Sequence, residues 1–279
     1  MRDAEGCFRF PKSLSVFFPA YNDEQSLPFL LARTMTVLRR VADDYEVIVV
    51  NDGSVDSTAE VLEEQQAQYG LRLRVITHDH NRGYGAALRS GLTAATREYI
   101  FYTDGDGQYD PAEIESLLRA VTPETGLVNG YKMERSDPRH RIVIGWLYNH
   151  FARWLFRIRL RDIDCDFRLI RRAILDPAAL RSTGGTICVE LVRQMELSGC
   201  EVIELPVHHY PRQYGSSQFF RVGSLVSTFA QLCSLFWRLV LAPAFSKDRI
   251  ARPALVNEID ATHDPDVVDL RNGTESRTS

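Results

Sequence analysis

The sequence predicts an α/β protein built on a mostly parallel β-sheet with helices on both faces. Three observations predict it. Strand-like and helix-like apolar patterns alternate through residues 14–130, the connections between them are short, and each successive strand segment ends in a polar, glycine-rich run. Such sheets bind ligands in the crevice at the carboxyl ends of their strands.

Residues 14–19 read as a short buried strand and residues 27–41 as an amphipathic helix. Residues 46–50 form a second strand, and Ser57 with Glu60 has the spacing of a capping box opening the next helix. Residues 71–77 alternate as a third strand, and residues 84–95 are helical. The fourth strand is residues 99–103, an apolar, aromatic run. Asp110 and Pro111 then suit the N-cap and first residue of a helix reaching residue 121. A strand over residues 126–130 ends the regular series. The second half predicts an aromatic-rich helix at 142–158, a short strand at 167–170 and a helix at 187–197. A strand over 201–210 carries Pro206 and therefore belongs at a sheet edge. The organisation expected is an extension over residues 1–12, a domain over 13–218, an amphipathic segment over 219–245 and a disordered acidic tail over 246–279.

At 279 residues, 44% hydrophobic and 25% charged, the chain has the composition of a soluble globular protein. Its net charge of −4 argues against a general nucleic-acid binder. The five cysteines (Cys7, Cys165, Cys188, Cys200, Cys233) have neither zinc-finger nor redox spacing, which points to thiols in a reducing compartment. The N-terminus lacks a cationic start followed by an apolar run, so a cytoplasmic protein is expected.

The chemistry lies at the strand ends. These are Pro19-Ala20-Tyr21-Asn22-Asp23-Glu24, Asn51-Asp52-Gly53-Ser54-Val55-Asp56-Ser57-Thr58, Asn81-Arg82-Gly83-Tyr84-Gly85-Ala86-Ala87, and the loop of Asp104 and Asp106. Singly, Asp52-Gly53-Ser54 is a tight turn and Gly83-Tyr84-Gly85 a flexible start to a helix. Four in register predict a nucleotide-binding crevice. Asp104 and Asp106, one residue apart at the end of a buried strand, are well placed for a hard divalent cation that keeps open positions for substrate phosphates. Other phosphate sites fail: there is no Gly-x-x-x-x-Gly-Lys-Ser/Thr loop, and Gly83, Gly85 and Gly91 lack dinucleotide-fingerprint spacing. An EF-hand reading of Asp104, Asp106, Gln108, Asp110 and Glu115 meets Tyr109 where glycine is required, and a strand precedes the loop. A phosphatase-type aspartyl nucleophile belongs at a chain's first strand in most such enzymes, whereas this acidic pair ends the fourth.

With these motifs in this order, residues 13–240 resemble the family 2 glycosyltransferases of the GT-A fold, and within them the polyprenyl-phosphate (dolichol-phosphate) sugar transferase branch. The likeness extends through Asp162-Ile163-Asp164-Cys165-Asp166-Phe167-Arg168-Leu169, Glu190, Pro206-Val207, and Arg212 with Gly215 and Ser217. The resemblance implies that Asp52 hydrogen-bonds the nucleotide base, with Pro19, Tyr21 and Glu24 lining the base and ribose pocket and Gly83 and Gly85 beside the nucleotide sugar. It implies that Asp104, Asp106 and Gln108 hold Mg²⁺ or Mn²⁺ against the donor diphosphate. Arg212 would clamp phosphate with help from Ser217, and Lys132 and Arg135 would receive the acceptor's phosphate. Asp166 departs from the family, whose members carry a small residue there. It is either a general base, which a hydroxyl acceptor would need, or the partner of Arg168 or another nearby arginine.

The function so implied is an inverting, metal-dependent transfer of one sugar from a nucleotide sugar to polyprenyl phosphate at the cytoplasmic face of the plasma membrane. The alternatives are a hydroxyl acceptor with Asp166 or Asp164 as base, and an inactive relative acting as a scaffold. Peripheral membrane contact, with a membrane protein as a further partner, is expected from two features. Residues 132–172 hold eleven Lys/Arg against five acids. Residues 222–237 carry no charge but are too polar and short to span, and they form an amphipathic helix with Leu225, Phe229, Leu232, Phe236 and Leu239 on one stripe and Ser227, Thr228, Gln231 and Ser234 away from it. That stripe suits either the protein's own core or a bilayer interface. The 142–158 helix, with Trp146, Tyr148 and Trp154, is a second membrane-facing candidate.

Overall fold

The structure, a computed structural model, describes residues 8–133, 139–214 and 222–241. Seven strands form one sheet: β1 (Leu14–Ala20), β2 (Tyr45–Asn51), β3 (Leu73–Thr77), β4 (Tyr99–Thr103), β5 (Thr125–Lys132), β6 (Phe167–Arg171) and β7 (Glu201–Val207). Their order is β3-β2-β1-β4-β6-β5-β7. The helices are α1 (Leu27–Val41), α2 (Thr58–Tyr69), α3 (Tyr84–Ala94), α4 (Ile114–Arg119), α5 (Arg139–Phe156), α6 (Ile187–Ser198) and α7 (Val222–Phe236).

Alternation along the strands builds two cores, as the two-residue period of a strand requires. Val16, Phe18, Val47, Val49 and Phe101 face one side, under α1 and α4. Phe17, Ile48, Val50, Ile100 and Tyr102 face the other, under α3, α5, α6 and α7. Both faces are covered, as the continuous burial of β1 and β4 demands. The predicted α/β class holds.

The sheet is more mixed than the alternation pattern suggests. β6 pairs antiparallel with both β4 and β5, whereas β1, β2, β3 and β4 are mutually parallel and β5 is parallel to β7. The register Thr103↔Phe167 brings the start of β6 beside the end of β4. The loop before β6 therefore enters the same edge as the carboxyl ends of the parallel strands. β7 lies at the outer edge with Pro206 in it, as expected.

Several boundaries differ from expectation for local reasons. Leu71 is fully exposed in a 3₁₀ turn, so β3 starts at Leu73. Asp110 accepts the Ala112 N–H at 2.9 Å, as an N-cap should, but the first turn after it is 3₁₀ and α4 begins at Ile114. The Ser57/Glu60 capping box does not form: Ser57 makes no side-chain cap bond, its N–H donates to Glu24 Oε2 at 2.8 Å, and the Thr58 N–H donates to Asp56 Oδ1 at 3.1 Å. Glu24 takes the Ser57 N–H that Glu60 would have served, and Asp56 caps the next amide. Residues 1–7, 134–138, 215–221 and 242–279, with Cys7 and the expected acidic tail, lie outside the described residues.

α7 buries the expected stripe only in part: Leu232 lies in the core with Phe236 and Leu239 packed against it. Leu232 and Leu235 enter the core with Thr228 buried beside them, while Phe229 is 58% exposed. Gln231 accepts the Thr186 hydroxyl at 3.1 Å instead of facing water. No helix among the described residues is long and apolar enough to cross a membrane.

α3 packs tightly on the sheet at Gly91, where an added Cβ would lie 2.3 Å from the Phe17 ring, which itself stacks on Tyr102 at 5.2 Å. Gly91→Ala should therefore destabilise the fold by about 1–3 kcal/mol through overpacking. Urea denaturation checks this; an unchanged midpoint would contradict the packing described.

Candidate active site

Several segments meet at the carboxyl edge of the sheet, and hydrogen bonds between loops fix their shape. Asn22 adopts a left-handed conformation (φ 58°); its amide oxygen accepts the Val55 N–H at 2.9 Å and its own N–H donates to Ser54 Oγ at 3.0 Å. The Asp23 N–H donates to Thr58 Oγ1 at 3.0 Å. The loops after β1 and β2 are thus one woven unit. It includes half-buried Tyr21 and Glu24, and Pro19, whose carbonyl accepts the Gly105 N–H at 3.1 Å.

Asp52, at the end of β2, is buried. Its Oδ1 lies 2.6 Å from His78 Nδ1 and accepts the Arg82 N–H at 2.9 Å; its Oδ2 accepts the Gly83 N–H at 2.9 Å. The carboxylate therefore shapes the loop after β3 and keeps a lone pair on Oδ2 beyond these bonds. Gly83, at φ +92°, and Gly85 pass so close to residues 182–183 that an added Cβ would lie 2.7 Å from the Thr183 oxygen and 2.3 Å from the Ser182 oxygen, respectively. No other side chain fits at either position.

The acid loop follows β4. Half-buried Asp104 accepts the Tyr84 hydroxyl at 2.8 Å. Burial, with Asp166 and Asp106 nearby, raises the Asp104 carboxyl well above the usual carboxylate range. Buried Asp106 accepts the Gln108 N–H at 3.0 Å on Oδ1 and pairs with the Arg212 guanidinium through Oδ2. The Gln108 side chain turns to the 208–214 segment, donating to the Tyr210 carbonyl at 3.0 Å, with Arg212 Nε 3.5 Å from its oxygen. Burial also raises Asp23, with Asp106 adding repulsion, to about 6.

The loop before β6 supplies more charge. Arg168 is fully buried, bonded to Asn129 Oδ1 at 2.6 Å, to the Tyr102 hydroxyl and to the Ile163 carbonyl. Asp166 lies 3.4 Å from this guanidinium and accepts the Cys188 thiol at 3.1 Å. Lys132 Nζ donates to the Asp164 carbonyl at 2.9 Å. Burial would lower its pKa, but Asp162, Asp164 and Asp166 outweigh that and raise it, so the ammonium stays charged. Arg135 and Ser217 lie outside the described residues.

The donor set fits a hard divalent cation. No group of three or more His, Cys, Asp or Glu among the described residues is arranged to hold a metal on its own. Mg²⁺ and Mn²⁺ do not require one, since one or two carboxylates with water and phosphate oxygens suffice. The raised Asp104 carboxyl records anionic crowding that a cation would relieve. Two residues of the site were not assigned roles from the sequence. Asp23 and Tyr84 lie inside the strand-end motifs, but only the parallel strand order brings Tyr84 to Asp104. Arg168 was expected as a partner of Asp166, which it is, but its full burial and its bonds to Asn129, Tyr102 and Ile163 join elements that no local pattern connects.

A sequence model of glycosyl transferase family 2 matches residues 15–178, more than half of the chain. Similar solved structures include glucosyl-3-phosphoglycerate synthase from Mycobacterium tuberculosis in complex with Mn²⁺, uridine-diphosphate and phosphoglyceric acid, at 17% identity and a TM-score of 0.61, covering 81% of this chain and 79% of that one. The same enzyme with Mg²⁺ and uridine-diphosphate gives 17% identity and a TM-score of 0.59, covering 80% of each chain. The mannosyltransferase PcManGT from Pyrobaculum calidifontis in complex with GDP-Man and Mn²⁺ gives 18% identity and a TM-score of 0.59, covering 83% of this chain and 65% of that one. At these identities the likeness establishes the shared GT-A fold.

Asp23 gives the site a pH signature. Between 3.8 and about 6 the folded protein holds a proton on Asp23 that the unfolded chain has released, so stability falls as pH rises through that window and levels off above it. Asp23→Asn removes this loss, and its amide oxygen can still accept the Tyr21 N–H, now at 2.9 Å. Without divalent cation, the melting temperature of the variant relative to the parent should rise between about pH 4 and pH 7. A pH-independent difference would contradict the assignment.

Proposed function

The chain belongs to glycosyl transferase family 2, and from that premise we propose that it transfers one sugar from a nucleoside-diphosphate sugar to polyprenyl phosphate, with inversion, at the inner face of the plasma membrane. The observation that carries the reading is the single crevice in which the Asp104/Asp106 pair meets Arg212 on one side and the Asp52–Gly83 unit on the other.

Each part has a role in that reading. The base and ribose rest on Pro19, Tyr21 and Glu24, with Asp52 accepting from the base on its remaining lone pair. Gly83 and Gly85 let the donor approach the backbone. Asp104 and Asp106, with Gln108 beside them, hold Mg²⁺ or Mn²⁺, which supplies charge neutralisation for the departing diphosphate. Arg212 lies beside the same carboxylates and clamps phosphate with its planar fork. The acceptor phosphate oxygen attacks the anomeric carbon opposite the diphosphate; the carbon–oxygen bond to the donor breaks, and its electron pair leaves with the nucleoside diphosphate. Ser217, five residues beyond Arg212, helps that clamp, and Lys132, with Arg135 three residues on, receives the acceptor's phosphate.

Two observations support a phosphate acceptor on a lipid. Asp166 already pairs with Arg168 and accepts the Cys188 thiol, the contacts of a structural carboxylate, and an anionic acceptor needs no base. In addition, α5 exposes Val143, Trp146, Leu147, Phe151 and Trp154, and Phe151 lies 6.2 Å from exposed Phe229 of α7. Exposed Arg157, Arg159 and Arg161 follow α5, a pairing of aromatic and cationic groups that suits an anionic bilayer. The second reading, a hydroxyl acceptor with Asp166 or Asp164 as base, is favoured by the closeness of Asp166 to Asp104 in the crevice.

Purified protein with Mg²⁺ or Mn²⁺, bacterial lipid extract and a panel of labelled nucleotide sugars tests the proposal. Label should move into an acid-labile lipid, and Asp166→Asn should retain most of that transfer. Transfer only to hydroxyl acceptors, lost in Asp166→Asn, would establish the second reading. Absence of transfer from every donor would favour an inactive scaffold.

A further inference from the structure

Glu190 lies in α6 at 3% exposure, deep enough that an unmatched carboxylate would be costly. Its Oε2 accepts two backbone N–H groups, from Arg181 at 3.0 Å and Ser182 at 2.8 Å. Its Oε1 pairs with the guanidinium of Arg238, in the turn that continues α7. The segment held in this way is the wall against which the glycines of the crevice pack. The Ser182 carbonyl accepts from Arg89 Nη1 at 2.5 Å, and the Thr183 carbonyl accepts the Gly85 N–H at 2.7 Å. Gly83, two residues before Gly85, donates to Asp52. α7 grips the same segment a second time, since Gln231 accepts the Thr186 hydroxyl and a Cβ on Gly184 would lie 2.7 Å from the Gln231 oxygen.

We propose that the Arg238–Glu190 ion pair is a latch that sets the position of residues 181–183, and through them the glycine wall of the nucleotide-sugar pocket, making both partners positioning residues for donor binding. The chain of contacts runs from Arg238 to Glu190, to the amides of Arg181 and Ser182, to the carbonyls of Ser182 and Thr183, and on to Gly85, Gly83 and Asp52. The links between segments are hydrogen bonds and one ion pair, joined by the covalent backbone within residues 181–183 and 83–85, and the close approach of Gly83 and Gly85 to that segment leaves little room to absorb a shift. The donor half of the proposal rests on the reading of Asp52 and Gly83 given above; the latch itself does not.

Hydrogen exchange and nucleotide titration on the full chain separate the two halves. In Arg238→Met, exchange at the Arg181, Ser182 and Gly85 amides should accelerate about tenfold while β1 and β4 stay protected. Affinity for UDP or GDP with Mn²⁺, whichever the parent binds, should weaken about fivefold, and donor KM should rise with kcat nearly unchanged. Arg238→Lys, which keeps the charge, should restore most of both. Leu118→Ala, a core change in α4 remote from the latch, should lower stability without either effect. If Arg238→Met does not fold, Glu190→Gln, which keeps the shape and loses the charge, reads the same amides. Unchanged exchange at those amides, acceleration spread evenly over the chain, or an equal KM rise in Leu118→Ala would overturn the latch. Local acceleration in a protein that binds neither nucleotide would overturn the donor reading, and the positioning role with it.

Discussion

The burial of several carboxylates close together at the carboxyl end of β4 is the constraint on which the site depends. Burial and the neighbours Asp166 and Asp106 push Asp104 up, while burial pushes Asp23 to about 6 with Asp106 adding to it. The fold answers with cations from distant parts of the chain. Arg212 reaches Asp106 from beyond β7, and fully buried Arg168 stands beside Asp166 from within β6. Arg212 is also the group best placed to meet an anionic ligand, so the charge that offsets the acids of the free protein is the one a diphosphate would recruit.

Topology makes this possible. Parallel strands β1 to β4 deliver the base-side loops and the acid loop to one edge, but parallel strands alone would leave Asp162, Asp164 and Asp166 elsewhere. The antiparallel insertion of β6 between β4 and β5 turns that loop into the crevice, where Lys132 closes it from the end of β5. Sheet order, as much as the acid loop itself, sets the charge pattern that the chemistry requires.

Much of this was legible in the residues. Strands such as Tyr99–Thr103 are apolar throughout and end in polar glycine-rich runs, so the crevice followed from local pattern alone. The position of β6 did not, because five residues cannot reveal which non-local strands they will pair with. The Ser57/Glu60 box failed for the same reason: Glu24, from another loop, reached the amide first. On α7, helical spacing marked a stripe that suited either the core or a bilayer. The core took Leu232 of that stripe, together with Thr228 and Leu235 from beside it, and left Phe229 exposed, while Gln231 found a partner in Thr186. Glu190 read as one helical acid, and its burial against Arg238 spans a separation that no local pattern encodes.

The central claim is that Asp104 and Asp106 bind a donor diphosphate through a divalent cation. Calorimetric titration of UDP and of GDP into the protein, with Mn²⁺ and then with chelator, tests it most directly. The account predicts that one nucleotide binds at least about tenfold more tightly with Mn²⁺, and that Asp106→Asn removes this gain while the protein remains folded. Equal affinity with and without Mn²⁺, or a gain that survives Asp106→Asn, would contradict it.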